Sequence, residues 1–241
     1  MKTMPDPLYR SDPYLRAAPG TVVAHSDGGV VLDAVLFYPS GGGQPGDSGT
    51  LEWPGGWLDI TDARKGPDGQ VVLIPGAGGA LPALGTALTQ ALDWDRRHRH
   101  MRVHTALHLL SVVIPRPVTG GQIGADKGRL DFDMPEAPAD RDALEAALNA
   151  LVARDLVVSE DWITDAALAA NPALVKTMSV QPPTGQGKVR LVRIGSGAHQ
   201  VDLQPCGGTH VARTGEIGAL RLGKIENKGR QNRRVNIHLA D

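Results

Sequence analysis

Hydrophobic positions change rhythm once along this chain. From residue 20 to about 92, short apolar runs alternate with turn residues. "GTVVAHSDGGVVLDAVLFYP" reads as two strands around the turn "SDGG", and "GTLEWPGGWLDITDARKGPDGQVVLIPG" continues with hairpin-like turns at "PGG" and "PDG". A series of short strands of this kind predicts a small all-β unit, a barrel. "AGGALPALGT" reads as a linker or loop. From residue 93 the period lengthens. "DRRHRHMRVHTALHLLSVVI" places Met101, His104, His108 and Val112 at helical spacing, and "DRDALEAALNALVARDL" repeats Ala and Leu at i, i+3 and i+4. "RLDFDM", "KVRLVRIG", "HQVDLQP", "IGALRLGKIE" and "RRVNIHLA" read as strands. The prediction is an α+β fold: a β-barrel domain over residues 1–92 and an α+β domain over 93–241. No internal repeat or low-complexity tract interrupts it.

With 241 residues, 41% hydrophobic and 21% charged, the chain can bury a sizeable core. Its 30 glycines and 18 prolines favour turns and loops over a helix bundle. The net charge of −1 hides an asymmetry. Residues 1–92 carry 5 Lys and Arg against 9 Asp and Glu, a net of −4, whereas residues 210–241 carry 7 against 3, a net of +4. A second basic patch lies in "DWDRRHRHMR". Such clustering suits contact with an anionic polymer, or simply a solvated surface. The single cysteine, Cys206, excludes an intrachain disulfide and fits a reducing cytoplasm. The N-terminal stretch lacks the apolar core of a signal peptide, and "LHLLSVVIP" is too short to span a bilayer, so no membrane association is expected.

Two motifs carry chemistry. His104 and His108 in "HTALHLL" share one helical face; Cys206 and His210 in "CGGTH" bracket two glycines that permit a tight turn. Three imidazoles and one thiolate are ligand types that zinc prefers, in the number that fills a tetrahedron. Each half alone is a weak signal; the alternative is a Cys206 packed as a small hydrophobe beside capping histidines. Thr105 stands where a peptidase of the HExxH type carries its glutamate base, which argues against that chemistry. "GGGQPGDSG" is not followed by GK[ST], so it is no nucleoside-triphosphate loop.

"HTALHLL", "DKGRLDF" and "DLQPCGGTHVARTGEIG" resemble the editing domain of alanyl-tRNA synthetase. "FYPSGGGQPGDSG" resembles the glycine-rich motif of the preceding β unit, and "KIENKGRQNRRVNI" the basic C-terminal end. The motifs run in order over about residues 20–240, with no room for an aminoacylation domain. The chain thus resembles a free-standing alanyl-tRNA editing protein. The resemblance implies hydrolysis, in trans, of seryl-tRNA made in error on the alanine tRNA, and in some members of glycyl-tRNA. It implies one zinc ion on His104, His108, Cys206 and His210, either fully held or with one position opened to water or substrate. Where the family often has Asn before the first motif, this chain has Val103.

Discrimination against alanine needs a polar group that only the serine hydroxyl satisfies. Thr105, Gln122 and Thr209 are the candidates, each weighed against a merely local hydrogen bond. Gly43, Gln44 and Asp47 are candidates for a flap over the terminal adenosine, against a plain turn. Lys127, Arg129, Lys224, Lys228, Arg230, Arg233 and Arg234 are candidates for holding tRNA phosphates. Rival readings are a non-catalytic RNA-binding module with a structural zinc, and a deacylase for another mischarged tRNA such as Ser-tRNA(Thr). The lack of a C-terminal coiled-coil segment favours a monomer.

Overall fold

The computed structural model describes residues 7–178 and 187–240. The chain divides into two compact units, Met1–His98 and Arg99–Asp241. The division falls inside one helix, α2 (Trp94–Val113), which follows the one-turn α1 (Leu8–Ser11).

The first unit is a closed barrel of β1 (Ala17–Ser26), β2 (Gly29–Leu32), β3 (Gly49–Trp53), β4 (Gly56–Lys65), β5 (Val71–Pro75) and β6 (Ala87–Leu92), in the order β1-β2-β5-β4-β3-β6. Closure leaves no unpaired edge, which suits strands this short. Val30, Leu36, Phe37, Leu51 and Leu73 fill its core. The "SDGG" turn is a tight hairpin because Asp27 and Gly28 both take positive φ, 50° and 76°. Residues 77–86 are a loop between two barrel strands, not a linker.

The second unit is α+β. β7 (Val118–Ile123), β8 (Lys127–Asp133), β12 (Leu220–Asn227) and β13 (Asn232–Leu239) form a sheet in the order β12-β13-β8-β7. A second sheet, β11-β10-β9, consists of β9 (Val158–Thr164), β10 (Lys188–Ile194) and β11 (Asp202–Pro205). Helix α3 (Arg141–Ala153) buries Leu144, Leu148 and Val152, and its Asp140 cap accepts from the Ala143 amide. A short α4 (Asp165–Ala169) follows β9. Helix α2 lies over β8: a Cβ on Gly128 would come within 2.6 Å of Val103 and 3.1 Å of Leu107. That glycine lets the helix approach the sheet.

β7 and β9 escape the sequence pattern. β7 carries a glycine pair, and β9 has no buried side chain to mark a period of two.

Candidate metal centre

Asp93 starts α2 by accepting the Arg96 amide at 3.2 Å, and the helix then carries His104 and His108 onto one face. Across from it, β11 alternates Asp202, Gln204 and, one step past its end, Cys206. Both halves converge: the ligand atoms of His104, His108, Cys206 and His210 all lie within 4.8 Å of one another. Cys206 Sγ is 3.4 Å from His104 Nε2 and 3.2 Å from His210 Nε2. A tetrahedral zinc with bonds of roughly 2.0–2.3 Å needs ligand separations of about 3.3–3.8 Å, so spacing and donor set fit a metal ion.

The groups behind the ligands fix their orientation. His108 Nδ1 lies 3.0 Å from Asp202 Oδ2, which leaves Nε2 for the centre. Asp202 also accepts from Lys176 Nζ at 2.5 Å and Gln204 Nε2 at 2.7 Å. His210 Nδ1 lies 3.1 Å from Thr105 Oγ1, whose hydroxyl donates to the Met101 carbonyl at 2.9 Å. The Val211 amide donates to the same oxygen at 3.3 Å. The "CGGTH" turn is pinned by Arg190, which donates to the carbonyls of Cys206 at 2.7 Å and Gly208 at 3.0 Å, and to Glu160 at 2.5 Å. Gly207 is exposed, with nothing within 4 Å of where a Cβ would stand.

Electrostatics follow from this geometry in the metal-free protein. Burial works against a charged ring at His108, but the Asp202 hydrogen bond and the Cys206 sulfur outweigh it and hold His108 at about 9. Burial would raise Asp202, yet His108 and Lys176 hold it down to about 2. Burial would likewise raise Cys206; His104 and His210 overcome it and favour the thiolate. Burial, reinforced by the charge on His104, pushes His210 down towards the neutral ring. A metal takes up a thiolate and neutral imidazoles, so binding here would release the second ring proton of His108.

The other candidates separate by place. Thr105 and Thr209 are buried at the centre, Thr105 beneath His210 and Thr209 within the ligand turn. Gln122 is exposed on β7 and accepts from Arg129 Nε at 3.2 Å. Its register partner is Arg129, whereas the next pair, Ile123 and Gly128, is the one covered by α2, so Gln122 occupies the opposite face of that sheet. The glycine motif belongs to the barrel unit. Gly42 and Gly43, at φ 58° and 84°, form the exposed tip of a turn closed by mutual Gly41–Gln44 bonds of 3.0 Å. Gln44 and Asp47 are buried below it. Asp47 accepts from the Tyr38 amide at 2.6 Å and pairs with Arg97, which also donates to the carbonyls of Leu36 and Pro13 at 3.0 Å. The loop is thus fastened at its base.

Among the basic residues, Arg129 and Arg234 both pair with Asp131, at 2.7 and 2.8 Å. Arg233 donates to the carbonyls of Gly229 at 2.7 Å and Asn232 at 2.9 Å. Lys127, Lys224, Lys228 and Arg230 are exposed. Sequence reasoning missed Asp202, Lys176 and Arg190. Asp202 had a signal: it stands two and four positions before Gln204 and Cys206, on the same face of a strand.

Comparison with known proteins fits this site. Residues 189–236 match the threonyl and alanyl tRNA synthetase second additional domain. The alanyl-tRNA editing protein AlaX-M of Methanosarcina acetivorans is 34% identical over 99% of this chain and all of its own length. The chain belongs to the alanyl-tRNA editing protein family. AlaX-M of Saccharolobus solfataricus is 32% identical over 96% of the chain and 98% of its own length. The alanine–tRNA ligase of Pyrobaculum neutrophilum is 34% identical over 91% of the chain but only 25% of the ligase. This editing-family chain therefore matches a quarter of the ligase. Among its described residues no helix is long and apolar enough to cross a membrane.

Proposed function

We propose that this protein is a zinc-dependent aminoacyl-tRNA deacylase that hydrolyses the serine ester of mischarged Ser-tRNA(Ala) in trans, in the cytoplasm, as a monomer. The observation that carries this reading is the four-residue cluster His104, His108, Cys206 and His210, oriented from behind by Asp202 and Thr105. One zinc ion is the assigned occupant. Bound there, it would supply positive charge to polarise the ester or lower the pKa of a water.

The chain's own residues divide the remaining work. Asp202 holds the Nδ1 proton of His108 so that the other ring nitrogen faces inward. Arg190 fixes the carbonyls of the ligand turn, and the open flank of Gly207 leaves room for the aminoacyl ester. Thr209, buried in that turn, is the proposed partner of the serine hydroxyl. Alanine fits the same space but lacks the hydroxyl that would make this contact, and this is the proposed basis for sparing Ala-tRNA(Ala). The exposed Lys127, Lys224, Lys228 and Arg230 are proposed phosphate contacts, with salt-sensitive binding as the result.

Four protein ligands also suit a structural zinc, and this keeps a binding module without turnover as the second reading. The deciding experiment is a deacylation time course on Ser-tRNA(Ala) and Ala-tRNA(Ala), beside Cys206→Ala, with metal content measured. Fast loss of serine only, abolished with the metal in the variant, is expected. Intact Ser-tRNA(Ala) in the presence of metal-loaded protein that still binds tRNA would leave the binding module.

A further inference from the structure

In the β9–β10–β11 sheet, Arg190 on β10 stands directly opposite Trp162 on β9. On its other side the same register leads to Cys206, whose amide donates to the Arg190 carbonyl at 3.2 Å. Cys206, Arg190 and Trp162 therefore form one row across three strands, and directly opposed residues project from the same face. That face carries the candidate metal centre. Asp202 and Gln204, which back His108, oppose Ile194 and Val192, and these in turn oppose Val158 and Glu160. The Arg190–Glu160 ion pair joins two neighbours on this face. At strand spacings of about 4.8 Å, the Trp162 backbone lies about 10 Å from that of Cys206.

Trp162 is 44% exposed, so part of its indole is open to solvent. The acids around it are neutralised: Glu160 by Arg190 and Asp161 by Arg193. One row further along, Lys188 opposes Thr164, is exposed, and has no partner among the described residues. An aromatic side chain two strand spacings from the candidate ligand Cys206, with the exposed Lys188 on the same face, suits a nucleotide esterified through its ribose.

Building on the deacylase reading, we propose that Trp162 stacks the adenine base of the substrate's terminal nucleotide, with Lys188 beside its phosphate. Every base offers a π-face, so the platform gives affinity and placement of the ester and no selection among tRNAs. Arg190 has a separate task in the row, since its guanidinium is committed to the ligand turn.

The test is steady-state deacylation of Ser-tRNA(Ala) by zinc-loaded wild type, Trp162→Ala and Trp162→Phe, with melting temperature and metal content recorded. The expected result is a KM about 10- to 100-fold higher for Trp162→Ala, with kcat, melting and metal content near wild type, and recovery in Trp162→Phe. A second readout is quenching of tryptophan fluorescence by 3′-serylamino-3′-deoxyadenosine, which should disappear in Trp162→Phe. Wild-type KM and unchanged quenching in the variants would overturn the platform while leaving the deacylase intact. A wild-type protein that leaves Ser-tRNA(Ala) untouched would overturn the deacylase reading and the platform with it.

Discussion

Thr105 Oγ1 stands 3.1 Å from His210 Nδ1, and both side chains are buried. With His210 Nε2 turned to the centre, the threonine oxygen accepts a hydrogen bond from the ring Nδ1–H, accepts another from the Val211 amide and donates its own to the Met101 carbonyl. Its hydrogen-bonding capacity is used. Thr105→Val should therefore lower metal affinity about 10- to 100-fold, measured by chelator competition, and leave the serine-to-alanine rate ratio unchanged. Thr105→Ser should restore affinity. A lost rate ratio with intact metal affinity would return Thr105 to the role of serine contact.

Asp202 receives three donors, from His108, Lys176 and Gln204. An amide in its place supplies less charge and one oxygen fewer. Asp202→Asn is expected to weaken metal binding about 10- to 100-fold. Lys176→Met should do less, because the His108 bond survives it. Equal metal affinity in wild type and Asp202→Asn would show that the carboxylate does not orient the ring.

The glycine motif separates into base and tip. Asp47 and Arg97 form a buried ion pair, so Asp47→Ala strands a buried cation and should cost about 3–5 kcal/mol in urea unfolding. Gly43→Ala forces a side chain to φ 84° and should cost about 1 kcal/mol. If the tip touches substrate, Gly43→Ala also slows deacylation while the protein stays folded. An unchanged rate makes the motif a turn only.

Asp131 offers a pH test. Burial would raise its carboxyl, but hydrogen bonds from Arg234 and Arg129 hold it below the ordinary carboxylate range. A carboxylate with a depressed folded pKa stabilises the protein above its unfolded value and loses that contribution as pH falls through the folded one. Asp131→Asn should thus lower stability by about 1–2 kcal/mol at neutral pH. The gap to wild type should close only in acid below the usual carboxyl range. A gap independent of pH would point to lost packing.

Much of this was legible because local signals agreed. The "SDGG" turn needs positive φ at two positions, and Asp-Gly supplies it. HxxxH on a helix and CxxxH around two glycines each need one local geometry, so the cluster could be named before it was seen assembled. What stayed hidden depended on partners distant in sequence. Nothing near Lys176 announces Asp202, 26 residues on. Asp47 read as a loop acid because its partner, Arg97, is 50 residues away. Arg129 and Arg234 read as free cations because their shared acid, Asp131, is set by strand register.

The chain has one thiol, and that thiol belongs to the candidate metal centre. Sulfur chemistry and metal occupancy are therefore a single variable. A thiol-reactive dye that is excluded by bound metal would count empty sites directly, one equivalent per chain. By the same logic, an oxidant reaching Cys206 would remove a candidate ligand and the chain's one oxidisable thiol at once, and prior metal loading would protect against it.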